Sequence, residues 1–404
     1  MAKPRIPQVA LLAPLTLKGQ QDALRGILQY IRLHGPWRLY RMEGRSGEQK
    51  LLDLKRWGCT GIITGDCSHK AAELIARAGV PVVVFEPPPH MRDPSHPLAR
   101  FTLSCCDSFA VGQLAARHFM ERHYTQFAFV GEPHGLYWSK ERENGFRSAL
   151  QSAGLPCLVY GNPTLKEKRD WTVEQPRMQA WLKALPKPIA LFAAMDGRGR
   201  QVLDACMGSD LSVPSEIAVL GVDDDELICE ATFPTMSSIQ LNSQQDGYMI
   251  AEHLDRLMRG ERLRKRVFLC QPTRVVTRRS TDATVIPDRQ IAHALEFIWR
   301  EAGRQAIHVP DVVRQIGSSR RFAETHFKTV VGRTILEEIQ RVRLERVCTL
   351  LAETNLPVGE ITRQCGFERE SYLARLFKKR FNASMSGYRT AARNRTHSDA
   401  NQTR

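Results

Sequence analysis

Asp223, Asp224, Asp225 and Glu226 follow directly on the apolar run "IAVLGV". Asp196 stands likewise behind "IALFAAM", and Arg142 lies four residues beyond Trp138 in "YWSKERENGF". Carboxylates beyond strand ends, one guanidinium and a flat indole are the groups that hold a neutral polyol. The charged groups accept from and donate to hydroxyls, and the ring stacks on the sugar face. Two blander readings stay open: the Asp residues cap helices, and Arg142 is a surface charge. A catalytic metal is disfavoured because no His accompanies the acids. The chain has no G-x-G-x-x-G, no G-x-x-x-x-G-K-[ST] and no Ser or Cys in a nucleophile elbow. Neither catalytic residues nor a cofactor are therefore expected.

A second set of residues suits another partner. "DVVRQIG" (311–317) matches "EITRQCG" (360–366) at an offset of 49, and beyond one extra turn residue the match continues at 50. Each copy reads as a short helix, a turn opening with Gly, and a second helix, which is the helix-turn-helix plan. At 100° per residue, Tyr372, Leu373, Leu376 and Phe377 form one stripe, expected to be buried. Glu370 opens the helix, and Ser371, Ala374, Arg375 and Lys378 lie opposite that stripe. In the first copy the corresponding face holds Arg321, Glu324, Thr325 and Lys328. Arg suits guanine edges, small residues permit close approach, and Lys suits phosphate. A lone basic helix is usually just solvated. Two copies on a net-positive segment point instead to double-stranded DNA.

The elements needed to position these residues can be read along the chain. Of 404 residues, 42% are hydrophobic and 25% charged, so a large core is affordable. Net charge is +15. Residues 289–404 hold 21 Lys and Arg against 12 Asp and Glu, whereas the first 288 hold 37 against 31. That asymmetry places the nucleic-acid module at the C-terminal end. Before it, apolar runs such as "QVALLAP", "TGIITG", "VPVVVFEP", "QFAFVGEP" and "PIALFAAMD" alternate with helical patterns, as in parallel α/β sheets. About 280 residues of this kind suggest two lobes. "TDATVIPDRQ" breaks the pattern, giving expected boundaries of 1–280, a linker at 281–288, a helical domain at 289–393 and a polar tail at 394–404. The ten Cys form no C-x-x-C pair and suggest reduced thiols in the cytoplasm. The opening "VALLAPL" reads as a first strand rather than a leader, and no run is long enough to span a membrane.

With these motifs in place, "GFERESYLARLFKKRF" and "YR" (388–389) resemble the AraC/XylS family of transcription regulators. The resemblance implies seven helices and two helix-turn-helix units. It also implies base contacts from Arg321, Glu324 and Thr325 and from Glu370, Ser371, Ala374 and Arg375. Asn382 and Met385 stand where that family usually has Gly and Pro, and Ala323 where a Leu packs. "FAFVGEPHGLYWSKERENGFRSAL", "AAMDGRGRQVLDAC" and "VPSEIAVLGVDDDE" resemble the LacI/GalR-type, periplasmic-binding-protein-like sensor. That likeness implies sugar contacts from Arg142, Asp196, Asp223 and Asp224, beside the indole of Trp138. A sensor ahead of an AraC-type domain, joined through "TRRSTD", matches a pentose-responsive subgroup. It implies D-xylose as the monosaccharide effector, activation through RNA polymerase, and a homodimer. Cys106 stands where relatives often have Asp.

The expected fold is therefore an α/β two-lobed periplasmic-binding-protein-like domain followed by an all-α domain with two helix-turn-helix units. The expected function is a sugar-responsive, cytoplasmic DNA-binding regulator. Two rivals remain: a sugar-processing α/β enzyme fused to a nucleic-acid module, and a DNA-binding protein whose first domain only dimerises.

Overall fold

The computed structural model describes residues 6–13, 15–42, 54, 58–132, 136–161, 171–282, 288–303 and 306–390. Most of the expected linker, at 283–287, and the expected tail at 394–404 lie outside the described residues. The chain forms two compact units, 1–284 and 285–404.

The first unit holds two six-stranded sheets of one topology. In lobe 1, β1 (Gln8–Leu12), β2 (Arg38–Arg41), β3 (Gly61–Thr64), β4 (Val82–Phe85), β5 (Thr102–Cys106) and β11 (Val267–Cys270) run in the order β11-β5-β4-β3-β1-β2, all parallel. In lobe 2 the strands are β6 (Phe127–Val130), β7 (Cys157–Val159), β8 (Ile189–Ala193), β9 (Ile217–Val222), β10 (Ser237–Gln240) and β12 (Arg274–Val276). Their order is β12-β10-β9-β8-β6-β7, with only β12 antiparallel. The central strands are apolar throughout because helices cover both faces: β8 and β9 are buried at every position.

The longer helices of this unit among the described residues are α1 (Lys18–His34), α2 (His69–Arg77), α3 (Ser108–Met120), α4 (Tyr137–Ser152), α5 (Trp171–Ala184), α6 (Asp196–Met207) and α7 (Ser243–Met258). The helix that follows the fifth strand of each lobe packs on the other lobe. Thus α3 leaves β5 of lobe 1 and lies along α4, while α7 leaves β10 of lobe 2 and lies along α1. Glycine makes both crossings possible. A Cβ on Gly26 would stand 1.9 Å from Gln244 O, and one on Gly247 would stand 1.8 Å from Ala23 O. At the second crossing the distances are 2.1 Å from Gly112 to Arg142 O and 2.0 Å from Gly145 to Phe109 O. No side chain fits at such distances, so backbone packs on backbone.

The second unit is helical: α8 (Arg289–Glu301), α9 (Val309–Ile316), α10 (Arg320–Val331), α11 (Ile335–Glu353), α12 (Val358–Gln364), α13 (Glu370–Phe381) and a further helical stretch at 385–390. The internal repeat is visible in what it buries. Val312, Ile316, Ala323 and Phe327 are buried in the first copy, and Ile361, Cys365, Leu373 and Phe377 in the second. The long α11 serves both. Ile335, Ile339 and Val342 pack into the first cluster, and Leu344, Val347 and Leu351 into the second. Gly317 and Gly366 turn each motif at φ 70°, and Gly332 and Asn382 close the second helices at φ 78° and 51°. Asn tolerates the left-handed region, so the missing Gly at 382 leaves the cap intact.

Candidate functional site

A cavity of about 300 Å³ opens between the lobes of the first unit, beyond the carboxyl ends of the parallel strands. Lobe 2 supplies Tyr137, Trp138, Arg142, Met195 and Asp223 to its wall, and lobe 1 supplies Asp66, Glu86 and Cys106. Asn242, Ser243 and Asp246, at the start of α7, complete the polar lining.

Arg142 organises the lobe 2 side. Its guanidinium lies 4.8 Å from the Trp138 ring centroid, and Nη2 is 3.8 Å from Asp223 Oδ1. Nη1 donates to Ala194 O, while the buried Nε has no hydrogen-bond partner among the described residues. A buried donor without a partner costs free energy, so this orientation of the guanidinium is held by Ala194 O, the Trp138 ring and Asp223. Burial pushes Asp223 up to about 6, against the pull of Arg142.

On the opposite side, Glu86 links the two lobes. Tyr137, at the start of α4, donates its phenol proton to Glu86 Oε2 at 2.8 Å and lies 3.1 Å from Glu86 O. The Cys106 backbone N–H donates to Glu86 Oε1. Arg92 stacks over the Tyr137 ring at 5.1 Å. Burial raises the Glu86 carboxyl despite these donors. Asp246 accepts from Ser104 Oγ and is pushed up to about 7, mainly by burial. Cys106 and Cys270, side by side on neighbouring strands, line the wall together.

Two wall residues, Glu86 at φ 48° and Asp223 at 106°, and Asp224 next to them at 49°, have backbones that side-chain-bearing residues rarely adopt. Such positions cost about 1–3 kcal/mol each and gather at binding sites.

Of the five ligand contacts expected from the sequence, Trp138, Arg142 and Asp223 lie on the wall, and Asp196 and Asp224 do not. Asp196 faces inward. Its Oδ1 accepts from Ser238 Oγ at 2.6 Å and its Oδ2 from the Asp225 N–H at 2.7 Å. Gly221 leaves room for it, since a Cβ there would stand 2.2 Å from Asp196 Oδ1. Asp196 thus folds the 223–225 loop from below. Burial, reinforced by the Asp223 charge, pushes it up to about 8. Asp224 points to the chain exit, where its Oδ1 accepts from Arg278 Nη1 at 2.8 Å. Asp66, Glu86, Tyr137, Asn242, Ser243 and Asp246 are among the polar wall residues that the sequence did not single out. Glu86 and Asp66 carried a signal, as carboxylates directly behind the strand runs "VPVVVF" and "TGIITG".

In the second unit, α10 and α13 present the expected faces. Arg321, Thr325, Lys328, Glu370, Ser371, Ala374, Arg375 and Lys378 are exposed. Glu324 is half-buried and accepts from Arg320 Nε at 2.9 Å. Tyr372 departs from expectation. It is 38% exposed rather than buried, because its hydroxyl accepts from Gln340 Nε2 at 2.7 Å and its ring lies 5.7 Å from the Arg375 guanidinium. Leu373 and Phe377 anchor α13 instead.

Comparison with known proteins agrees with this fold. Residues 116–281 match a periplasmic binding protein-like domain, and residues 312–391 match a helix-turn-helix domain. The chain is 29% identical over 386 residues to the xylose operon regulatory protein of Escherichia coli K12, covering 95% of this chain and 96% of that one. The Haemophilus influenzae protein of the same name is 29% identical over 331 residues, 81% of this chain and 84% of its own. A solved structure, described as the xylose-binding transcription activator xylR, superposes with a TM-score of 0.79 at 27% identity. It covers 96% of this chain and 99% of its own.

Proposed function

We propose that this chain, which belongs with the helix-turn-helix transcription regulators that carry a periplasmic-binding-protein-like sensor, answers a neutral pentose, D-xylose foremost, bound between its sensor lobes. The protein is a regulator and not an enzyme. The observation that carries the choice of ligand is the cavity wall. Trp138 offers an aromatic side chain, Arg142 a guanidinium, and Asp223, Asp246 and Glu86 carboxyl groups. Four carboxylates, those three with Asp66, stand against one guanidinium on that wall. Carboxyl groups in that excess, with Asp223 and Asp246 pushed by burial toward holding their protons, offer acceptors and donors to a neutral polyol and little cationic support to a sugar phosphate or uronic acid. The relatives described as xylose regulators support the same sugar.

In this reading the sensing domain is 1–280, the linker 281–288 and the DNA-binding domain 289–393. Trp138, Arg142 and Asp223 contact the sugar. Arg321, Glu324, Thr325, Lys328, Glu370, Ser371, Ala374, Arg375 and Lys378 face DNA. The protein works in the cytoplasm as a homodimer and activates through RNA polymerase. Sugar shifts DNA affinity only through unequal affinity for open and closed forms of the sensor.

Thermal unfolding of the full chain tests the reading. D-Xylose at 100 times its Kd should add about 2.7 kcal/mol of stability. D-Xylose 5-phosphate should add none. Conversion of the sugar by the pure protein would restore the enzyme reading, and silence toward every pentose and hexose would leave the first unit as a dimerisation module.

A further inference from the structure

Ligand contact at Asp223 has no effect on DNA unless it reaches the chain that leaves the sensor. That chain is Thr277–Asp282, beyond β12. It is held to lobe 2 by a buried polar network whose proton directions can be assigned. Arg122 Nη1 lies 3.1 Å from His118 Nδ1, and His118 Nε2 lies 3.0 Å from Thr281 Oγ1. Arg122 can only donate, so His118 accepts at Nδ1 and donates at Nε2 as a neutral ring. Burial keeps it neutral by pushing its pKa down to about 3. Thr281 Oγ1 then donates to Ser237 Oγ at 2.8 Å, which donates to Arg278 O at 2.9 Å. Ser280 closes the set, receiving the Ser237 N–H at 2.8 Å and donating to Val219 O. The exit segment therefore moves with lobe 2.

One side chain of that segment reaches back toward the cavity. Arg278 donates from Nη1 to Asp224 Oδ1 at 2.8 Å and to Met236 O at 3.2 Å, and from Nε to Glu230 Oε1 at 2.6 Å. Its side chain is 13% exposed, and that of Asp224 is 10%. Asp224 adjoins Asp223 in the chain, and both are held in the left-handed region. A shift of Asp223 on the ligand therefore turns the peptide that carries Asp224. The ion pair is the direct link from that peptide to the exit.

Resting on the reading of the cavity as a sugar site, we propose that Arg278 is the positioning residue that couples cavity occupancy to DNA affinity, through its ion pair with Asp224. Neither residue lines the cavity, so sugar binding and bare DNA binding survive their loss while the linkage between them does not.

The test uses the full chain, D-xylose, and a DNA fragment selected by the wild-type protein from a random-sequence pool. The ratio of DNA Kd without and with sugar measures the coupling, commonly about 5- to 150-fold in allosteric proteins. Arg278→Ala should bring the ratio to near one, with sugar Kd by calorimetry within about fivefold of wild type. Asp224→Asn, which keeps size and loses charge, should do the same, and Arg278→Lys should recover part of the ratio. The double variant should be no worse than either single one. An unchanged ratio in Asp224→Asn or in folded Arg278→Ala would overturn the proposal alone. A wild-type protein that binds no sugar would overturn the site reading and the proposal with it.

Discussion

Tyr137→Phe removes one oxygen and should weaken the effector more than any contact on a single lobe would. The phenol belongs to α4 of lobe 2 and its acceptor, the Glu86 carboxylate, to lobe 1, at 2.8 Å. Separation of the lobes breaks this bond, so its free energy counts toward the closed form only. A hydrogen bond to a charged acceptor contributes about 1.5–3 kcal/mol. Glu86 keeps the Cys106 N–H, so the loss stays within that range rather than leaving a bare buried charge. If sugar binds the closed form, its affinity falls by the same amount, about 10- to 150-fold. Titration calorimetry of D-xylose into Tyr137→Phe reads this directly. A Kd within threefold of wild type would refute the latch, because no other change was made to the wall.

Four further substitutions probe the DNA-facing helix, the cavity and the lobe crossing. Arg375→Ala should cost about 1–3 kcal/mol on selected DNA and little on random DNA, while Lys378→Ala should weaken both equally and lower the salt slope by about one; equal losses from Arg375→Ala would make it a phosphate contact. Asp246 has an ordinary value of 3.8 and is pushed up to about 7 in the fold. The folded state thus holds a proton that the unfolded chain releases, so this share of stability is full below the ordinary value and fades as pH rises toward 7. Asp246→Asn should flatten the dependence of melting temperature on pH across that window, and identical slopes would sink the assignment. Gly112→Ala drives a methyl to 2.1 Å from Arg142 O, and overpacking of this kind costs about 1–3 kcal/mol or more. Its sugar affinity should fall along with its melting temperature, since the displaced helix carries Arg142.

Much of the fold is legible in the amino-acid sequence. Alternating apolar runs and helical patterns gave the paired lobes, because strands covered on both faces must be apolar throughout. The repeat gave the second unit, because the same four buried positions recur at its two offsets. The ligand wall was half legible. Sequence spacing identifies carboxylates at strand ends but not their direction. Asp223 opens to the cavity while its neighbour Asp224 and the nearby Asp196 are taken by Arg278 and Ser238. Tyr137 and Asp246 reach the wall through helix starts distant in sequence, where no local pattern marks them. Tyr372 misled because helical projection places a residue by angle alone, while a hydroxyl partner on α11 drew its ring outward.

The exchanged helices have a consequence for how the sensor comes apart. Each lobe owns one half of a glycine crossing and borrows the other half from chain that has just left its neighbour. A fragment ending after β5 would lose α7 from its face, and a fragment of β6 to β10 would lose α3. Neither lobe can therefore melt while the other stays intact. Lobes crossed in this way should denature as one, so calorimetry of residues 1–284 should give a single transition whose van't Hoff and calorimetric enthalpies agree.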